Sequence, residues 1–540
     1  MKKLIYVLLL FILSTGIARA QSQYQPYSYD FYQKFNEDVY STKTRIHSSL
    51  KPFFIDDSLL QRRYVELMNL GVDTTRRRSW AHRKLFNEHL IDVKNKDYTF
   101  FLDFLPEGVV GNDRSQNQST WVVTKGYQLG GTIGKNFYFY SRGLENQAIF
   151  PQYMDTYIRQ VGIVPGQAYD RTYGKNSYAD WSDVTALVSY TPAKYLNVTL
   201  GHDKNFIGDG YRSQLLSDYA SAYPFLKLTA NLGNVKYMAM WSYMVDPVAP
   251  YESYTNGYKN KWGVFHYLDW NVTDRLSLGF FDAVIWGNVD KYGGYRGFEF
   301  GYASPVIFLR PVEASAGSPD NALIGFTGKY KITNGITAYG QFALDEFESK
   351  NFFAGKGSSR NKYGFQIGVR GANLFKVKAL NYLVEYNGAT PYTYSETERL
   401  INYSQQGEPL AHPFGANYKE LIGLLNYSYK RFDFSGQLQY AHYGLDVNGL
   451  NYGKDIFKSY AKPARLNGNY IGQGLTTNLY YAQAKVAYLL NPKYNLRLEF
   501  AALFRREHNA QFLDRTSMFS IGIRSSFRTI YSDLASFRAH

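Results

Sequence analysis

Lys194–Val245 reads KYLNVTLGHDKNFIGDGYRSQLLSDYASAYPFLKLTANLGNVKYMAMWSYMV, and its pattern decides the fold. Leu196, Val198 and Leu200 alternate with Asn197, Thr199 and, further on, Asp203, so a strand with one apolar and one polar face begins here. A loop of about twenty residues, rich in Gly, Asp, Tyr and Arg, follows. The chain returns as Leu226, Leu228, Ala230 and Leu232 with Lys227, Thr229 and Asn231 between them. Gly233-Asn234 turns it sharply, and Val235, Tyr237, Ala239 and Trp241 mark one face of a third strand. Strand, long decorated loop, strand, tight turn, strand is the unit of a transmembrane β-barrel.

The unit recurs. Alternating segments run from about residue 97 to 528, starting with Tyr98–Leu105, 119–134 and Asn136–Leu144 and ending with 476–490, 493–507 and 515–528. They number about eighteen, an even count that returns both ends of the sheet to one side. Tight turns such as Gly134-Lys135, Pro192-Ala193, Thr273-Asp274, Asn334-Gly335, Lys430-Arg431 and Asn491-Pro492 alternate with long polar loops. The expected fold is an all-β transmembrane barrel of about 18 antiparallel strands with a small N-terminal periplasmic helical module. Charge at the mid-bilayer costs about 2–4 kcal/mol, which assigns the faces. Tyr494, Leu496, Leu498 and Phe500 are predicted to meet lipid, and Arg497 and Glu499 the lumen. Phe432, Phe434 and Leu438 alternate with Asp433, Ser435, Gln437 and Gln439, and Phe519, Ile521 and Ile523 precede Arg524. Asp282 falls on the lipid-facing register, which implies a bulge or a shifted register there.

Outside the barrel, Met1–Ala20 carries Lys2, Lys3, an apolar run and Ala18-Arg19-Ala20, the pattern of a cleaved export signal. Residues 21–96 are expected to form the helical module. Phe31, Phe35 and Val39 share one helix face after Asp30 as N-cap, and Leu60, Tyr64 and Leu67 another after a capping box at Ser58–Gln61. Arg76, Arg77, Arg78, His82, Arg83 and Lys84 follow as a basic cluster. Residues 529–540 are expected to be a short tail.

Composition agrees with an exported membrane protein. Aromatics are 18% of the chain, 51 of them tyrosine, which suits membrane–water boundaries, and cysteine is absent, which excludes disulfides and thiolate metal sites. The formal net charge is +15, or +12 without Lys2, Lys3 and Arg19, and favours anionic partners: acidic polysaccharide or lipopolysaccharide phosphates. Nucleic acid is not expected as a partner, since no binding module is present.

No catalytic motif is found, and the nine histidines lack metal-ligand spacing; neither enzyme activity, cofactor nor metal is expected. GDGYRS at 208–213 lacks the third glycine of a dinucleotide fingerprint and reads as a turn, with Asp209-Gly210 supplying positive φ. Aromatic rings beside Arg, Asn and carboxylate groups are the chemistry of a saccharide site. The candidate polysaccharide-binding residues are Asp203, Lys204, Asp209, Tyr211, Arg212 and Asp218; Arg310, Glu313 and Asn321 within 304–323 (SPVIFLRPVEASAGSPDNAL); and His412 and Lys419 within HPFGANYKE. The alternative is that such loops fold inward and their arginines brace lumen carboxylates.

GHDKNFIGDGYRSQLLSDYASAYPFLKL at 201–228, together with the 304–323 and 412–420 segments, resembles the Wzi-type capsule-assembly outer-membrane proteins, in particular the Bacteroidetes branch with RemB-like, gliding-associated members. The resemblance implies an eighteen-stranded barrel with periplasmic helices. It also implies a non-enzymatic lectin that anchors capsular or exopolysaccharide at the cell surface. A porin-like channel, or a motility or adhesion accessory docked on other envelope proteins, are the alternatives.

Overall fold

The structure is a computed structural model that describes residues 23–538 except 56, 73–77, 173–174, 248–258, 291–292 and 306–319. The expected signal segment, Arg76, Arg77, Arg310 and Glu313 therefore lie outside the described residues.

Eighteen antiparallel strands close into one barrel. They are β1 (Tyr98–Phe104 and Glu107–Asp113, broken at Leu105-Pro106), β2 (Gln118–Ile133), β3 (Phe137–Ile149), β4 (Ala179–Ala193), β5 (Leu196–Asp203) and β6 (Tyr223–Leu232). Next come β7 (Val235–Asp246), β8 (Lys259–Asn271), β9 (Leu276–Gly287), β10 (Asn321–Thr333), β11 (Ile336–Glu346) and β12 (Lys362–Gly371). The last six are β13 (Leu380–Ala389), β14 (Tyr418–Tyr429), β15 (Phe432–Leu445), β16 (Leu475–Asn491), β17 (Leu496–His508) and β18 (Leu513–Arg524). The upper half of β1 pairs with β18 from Met518↔Asp113 to Ile523↔Gly108, and its lower half with the short strand Ile91–Lys94. The sequence pattern had missed that upper half, because Pro106 interrupts the alternation.

The wall follows the expected faces over most of its height. Leu498, Phe500, Ile521, Ile523, Phe432, Phe434 and Leu438 are exposed on the outside, while Arg497, Glu499 and Arg524 line an interior cavity with Asp433 and Gln437. Tyr494 and Leu496 depart from the expectation: they are buried and pack with Leu105 and Leu144, at the level where β1 breaks at Leu105-Pro106. Asp282 needs no bulge. Its pairing with His266 and Ile324 is regular, and it stays outward but buried. The chain leaving β9 doubles back over this part of the wall, where Trp241 Nε1 donates to Tyr302 O at 2.9 Å and the Tyr237 hydroxyl to Pro305 O at 2.5 Å. No helix of the described residues is long and apolar enough to cross a membrane.

The longer helices are α1 (Ser58–Met68) and α2 (Trp80–Phe86), ahead of β1, and α3 (Gln152–Val161), which follows β3 and packs inside the barrel on Tyr219, Tyr531 and Leu534. The N-cap of α1 is Asp57, which accepts from Leu59 N and Leu60 N, in place of the expected Ser58 box. The first helical stretch starts after Ser28 and runs in short turns from Tyr29 to Val39, so Asp30 lies inside it and does not cap it. Phe31, Phe35 and Val39 do share one buried face, packed on Phe53, Ile55, Leu60, Met68 and Phe527. α1 and α2 sit under the tight-turn end: Arg431 donates to Gly71 O at 2.8 Å, and Asn491 to Lys84 O and Glu88 O at 3.1 and 3.0 Å.

Candidate functional site

Two regions could meet a ligand: the lumen, where most of the candidate residues fall, and the rim formed by the long loops. The lumen is filled by α3 and the chain after it, which pack on Tyr219, Tyr531 and Leu534, by three further inward segments and by the chain's tail. Loop 204–222 enters with Ile207, Leu215, Leu216 and Ala220 buried against Met238, Met240, Phe265 and Tyr267 of the inner wall, and loop 390–417 adds Tyr394, Tyr403, Leu410 and Phe414. Leu50–Lys51 pairs with Phe206–Ile207, which draws the N-terminal segment in as a short ribbon. After Arg524 the chain turns back into the lumen, and Phe527, Tyr531, Asp533 and Leu534 are buried there.

The GDGYRS motif is the hub that joins these pieces. Asp209 accepts from the hydroxyls of Tyr40 at 2.9 Å, Ser49 at 2.6 Å and Ser48, and Lys329 lies at 3.6 Å. Burial opposes its charge, but Lys329, Lys51 and the serine hydroxyls hold the Asp209 carboxyl well below the usual carboxylate range. Lys51 donates to Gly208 O at 2.6 Å, and burial pushes its ammonium down to about 7 against the pull of Asp209. Arg212 donates to Glu420 at 3.1 Å and to Asp533 of the tail at 2.8 Å. The two carboxylates outweigh burial and raise the guanidinium further above its ordinary value. His412 Nε2 lies 2.7 Å from Glu420, and burial lowers the His412 imidazole despite that carboxylate. Glu385 accepts the backbone N–H groups of Tyr211 and Arg212 at 3.0 and 3.1 Å.

Gly210 is required by that last contact, since a Cβ on it would stand 2.2 Å from Glu385 Oε2. The positive φ expected at Asp209-Gly210 is found instead at Gly208, φ +136°. Tyr211 donates to Asp533 at 3.1 Å, Lys204 to Asp218 O at 3.0 Å, and Tyr531 to Asp218 at 2.8 Å, while burial raises the Asp218 carboxyl. Asp203 ends β5 on the inner face near Thr185. Asn321 holds Ile401 O at 2.9 Å. The structure therefore brings Asp209, Tyr211, Arg212, Asp218 and His412 together as internal braces, with Arg212 and His412 closed off from solvent. These five residues engage most of their polar atoms with partners inside the protein, and among the described candidates only Lys419, on the outer face of β14, is exposed.

The rim carries a second group of polar and aromatic residues that no sequence motif marks. Loops 347–361 and 446–474 interlock through Gly468 N to Lys356 O at 2.7 Å, Asn469 N to Gly357 O at 2.9 Å and Ser359 N to Leu466 O at 2.9 Å. They present Lys356, Arg360, Lys462 and Arg465, all exposed, and none lies within ion-pair distance of a carboxylate among the described residues. Tyr470 and Phe353 stand out beside them, 57% and 81% exposed, and Arg465 lies 5.9 Å from the Tyr470 ring centre. Cations and open aromatic faces on one hydrogen-bonded platform can grip a carboxylate-bearing sugar chain from its edge and its face. No spacing rule marks such a platform, because its residues come from two loops about a hundred positions apart.

An eighteen-stranded closed barrel with an apolar outer wall and a packed polar interior defines a transmembrane β-barrel of the outer-membrane type. Among solved structures the chain is similar to Wzi of Escherichia coli, described as an outer membrane protein involved in group 1 capsule assembly and a carbohydrate binding beta-barrel. The two share 14% identity over 92% of this chain and 99% of that one, with a TM-score of 0.54. It is also similar to OprD of Pseudomonas aeruginosa, with 9% identity over 84% of this chain and 100% of that one and a TM-score of 0.42. No family model and no curated protein matches it.

Proposed function

We propose that this protein is a non-enzymatic outer-membrane barrel that holds anionic capsular or exopolysaccharide at the cell surface, with the rim platform as its contact. The observation that carries this reading is the set of four exposed cations, none in a direct ion pair among the described residues, beside exposed aromatic rings on the long-loop side. The filled lumen supports it over a diffusion pore, since buried side chains of loops 204–222 and 390–417 occupy the space that solute would cross. Membership of the Wzi-type group, including its gliding-associated branch, belongs to the same reading and rests on the 201–228 segment and the shared fold. The test is a deletion strain complemented with the wild type or with Lys356→Gln/Arg360→Gln/Lys462→Gln/Arg465→Gln. Polysaccharide is then partitioned into cell-bound and shed fractions. Wild type should restore retention and the variant should shed polymer at normal total synthesis. Equal retention by a properly inserted variant overturns the assignment.

A further inference from the structure

The outer wall across β14–β18 carries charges that neither the lumen nor the rim explains. Strand register sets Leu421, Tyr440, Tyr480, Arg506 and Arg515 side by side in one row across five strands. Arg506 and Arg515 are directly opposite each other and exposed, an arrangement that repels unless an anion lies between the two groups. Arg114 joins them: its N–H donates to Ser517 O at 2.9 Å, and its guanidinium lies 4.8 Å from the Phe519 ring centre. None of the three has an ion pair among the described residues. The acids adjacent in sequence, Asp514 and Glu507, are engaged with Arg505 at 2.6 and 2.7 Å.

The height of the row is informative. On β16 the outward face runs from Tyr488 up to Tyr480, aromatic residues at both ends with Val486, Ala484 and Ala482 between them. Eight residues at about 3.4 Å each, tilted by about 40°, span roughly 21 Å, close to the apolar height of such a wall. The arginines therefore stand at head-group level on the long-loop side. Beneath them is a groove of about 660 Å³, floored by Ala482 and Gly423 and walled by Leu438 and Phe504. Its lining is apolar below and cationic at its upper edge.

We propose that this wall binds a phosphate-bearing lipid of the outer leaflet, its phosphate between Arg506 and Arg515 with Arg114 alongside, and an acyl chain in the groove. The site rests on charge complementarity and groove shape and does not depend on polysaccharide binding. Paired guanidinium groups suit a phosphate, which accepts from both at once.

Native mass spectrometry tests this, with the protein in a non-ionic detergent and a monophosphorylated glycolipid or its dephosphorylated form as probe. Wild type should retain one phosphorylated lipid at least tenfold more tightly than the dephosphorylated one, and inorganic phosphate at the same concentration should not displace it. Arg506→Gln/Arg515→Gln should lose that preference. Ala482→Trp keeps the arginines and fills the groove; it should weaken retention of both lipids, and it carries the test should the double variant fail to fold. Equal retention of the two lipids by wild type, or unchanged retention by either folded variant, overturns the proposal. Displacement by inorganic phosphate alone would identify a free-anion site and overturn the lipid assignment.

Discussion

Arg212→Ala separates a lumen brace from a ligand contact. Arg212 lies between Glu420 at 3.1 Å and Asp533 at 2.8 Å, with almost no exposed surface. Its removal leaves two buried carboxylates facing one void. Losing one partner of such a pair costs about 3–5 kcal/mol, mostly the penalty of the charge left behind. The strand ladders are untouched, so the loss should fall on the tail and on loop 204–222. Hydrogen exchange of the tail amides in lipid nanodiscs reads it directly. At tenfold per 1.4 kcal/mol, about 4 kcal/mol makes those amides exchange about three orders of magnitude faster. Asp533→Asn in the same background removes one of the orphaned charges, and the double variant should lose less than the two single losses summed. Unchanged tail exchange in Arg212→Ala, coupled with weakened polysaccharide binding, would refute the brace.

Truncation after Ser526 removes Phe527, Tyr531 and Asp533 from the lumen but leaves loops 204–222 and 390–417 packed on the inner wall, so planar-bilayer recordings should show no large single-channel steps unless those loops are deleted as well. Gly210→Ala places a Cβ 2.2 Å from Glu385 Oε2 and should cost about 1–3 kcal/mol of overpacking in denaturant titrations, whereas Gly328→Ala meets open space and should not. Burial pushes the Glu408 carboxyl up to about 7 against the Gly166 and Ser221 N–H groups and Lys204. Because the folded state keeps that proton longer than the unfolded chain, its stabilising contribution is full below about pH 4.5 and is lost as pH rises through about 7. Thermal melts from pH 4.5 to 8 should show this slope, and Glu408→Gln should flatten it.

The barrel was legible because lipid outside and water inside impose a period of two on every strand, and each strand reports its faces independently. Lys227, Asp433 and Gln439 point inward where alternation placed them, and tight turns such as Gly233-Asn234 fixed the end of each hairpin. The contents of the lumen were not legible. An arginine beside a tyrosine in a polar loop looks the same whether it grips a sugar or a carboxylate across the barrel, and the partners of Arg212 lie 208 and 321 positions away. Asp282 misled for a related reason: its face was read correctly, but alternation carries no information about a loop folded over the wall. The rim platform and the Arg506–Arg515 pair arise from strand register and loop contact, which exist only once the chain is closed.

Phe527 of the tail meets Phe31 of the segment before β1, ring centres 4.9 Å apart, so described residues on both flanks of the strand series pack together inside the ring. Assembly is therefore a packing problem as well as an insertion problem. The seam between β18 and β1 joins the two strands from which those end segments depart, so zipping it shut traps whatever is inside. A wall that closed early would have to readmit the tail through the tight-turn mouth that α1 and α2 cover. One that closed late would expose unpaired strand edges to neighbouring chains. The order in which contents and seam are completed thus separates a finished barrel from an empty or cross-paired one.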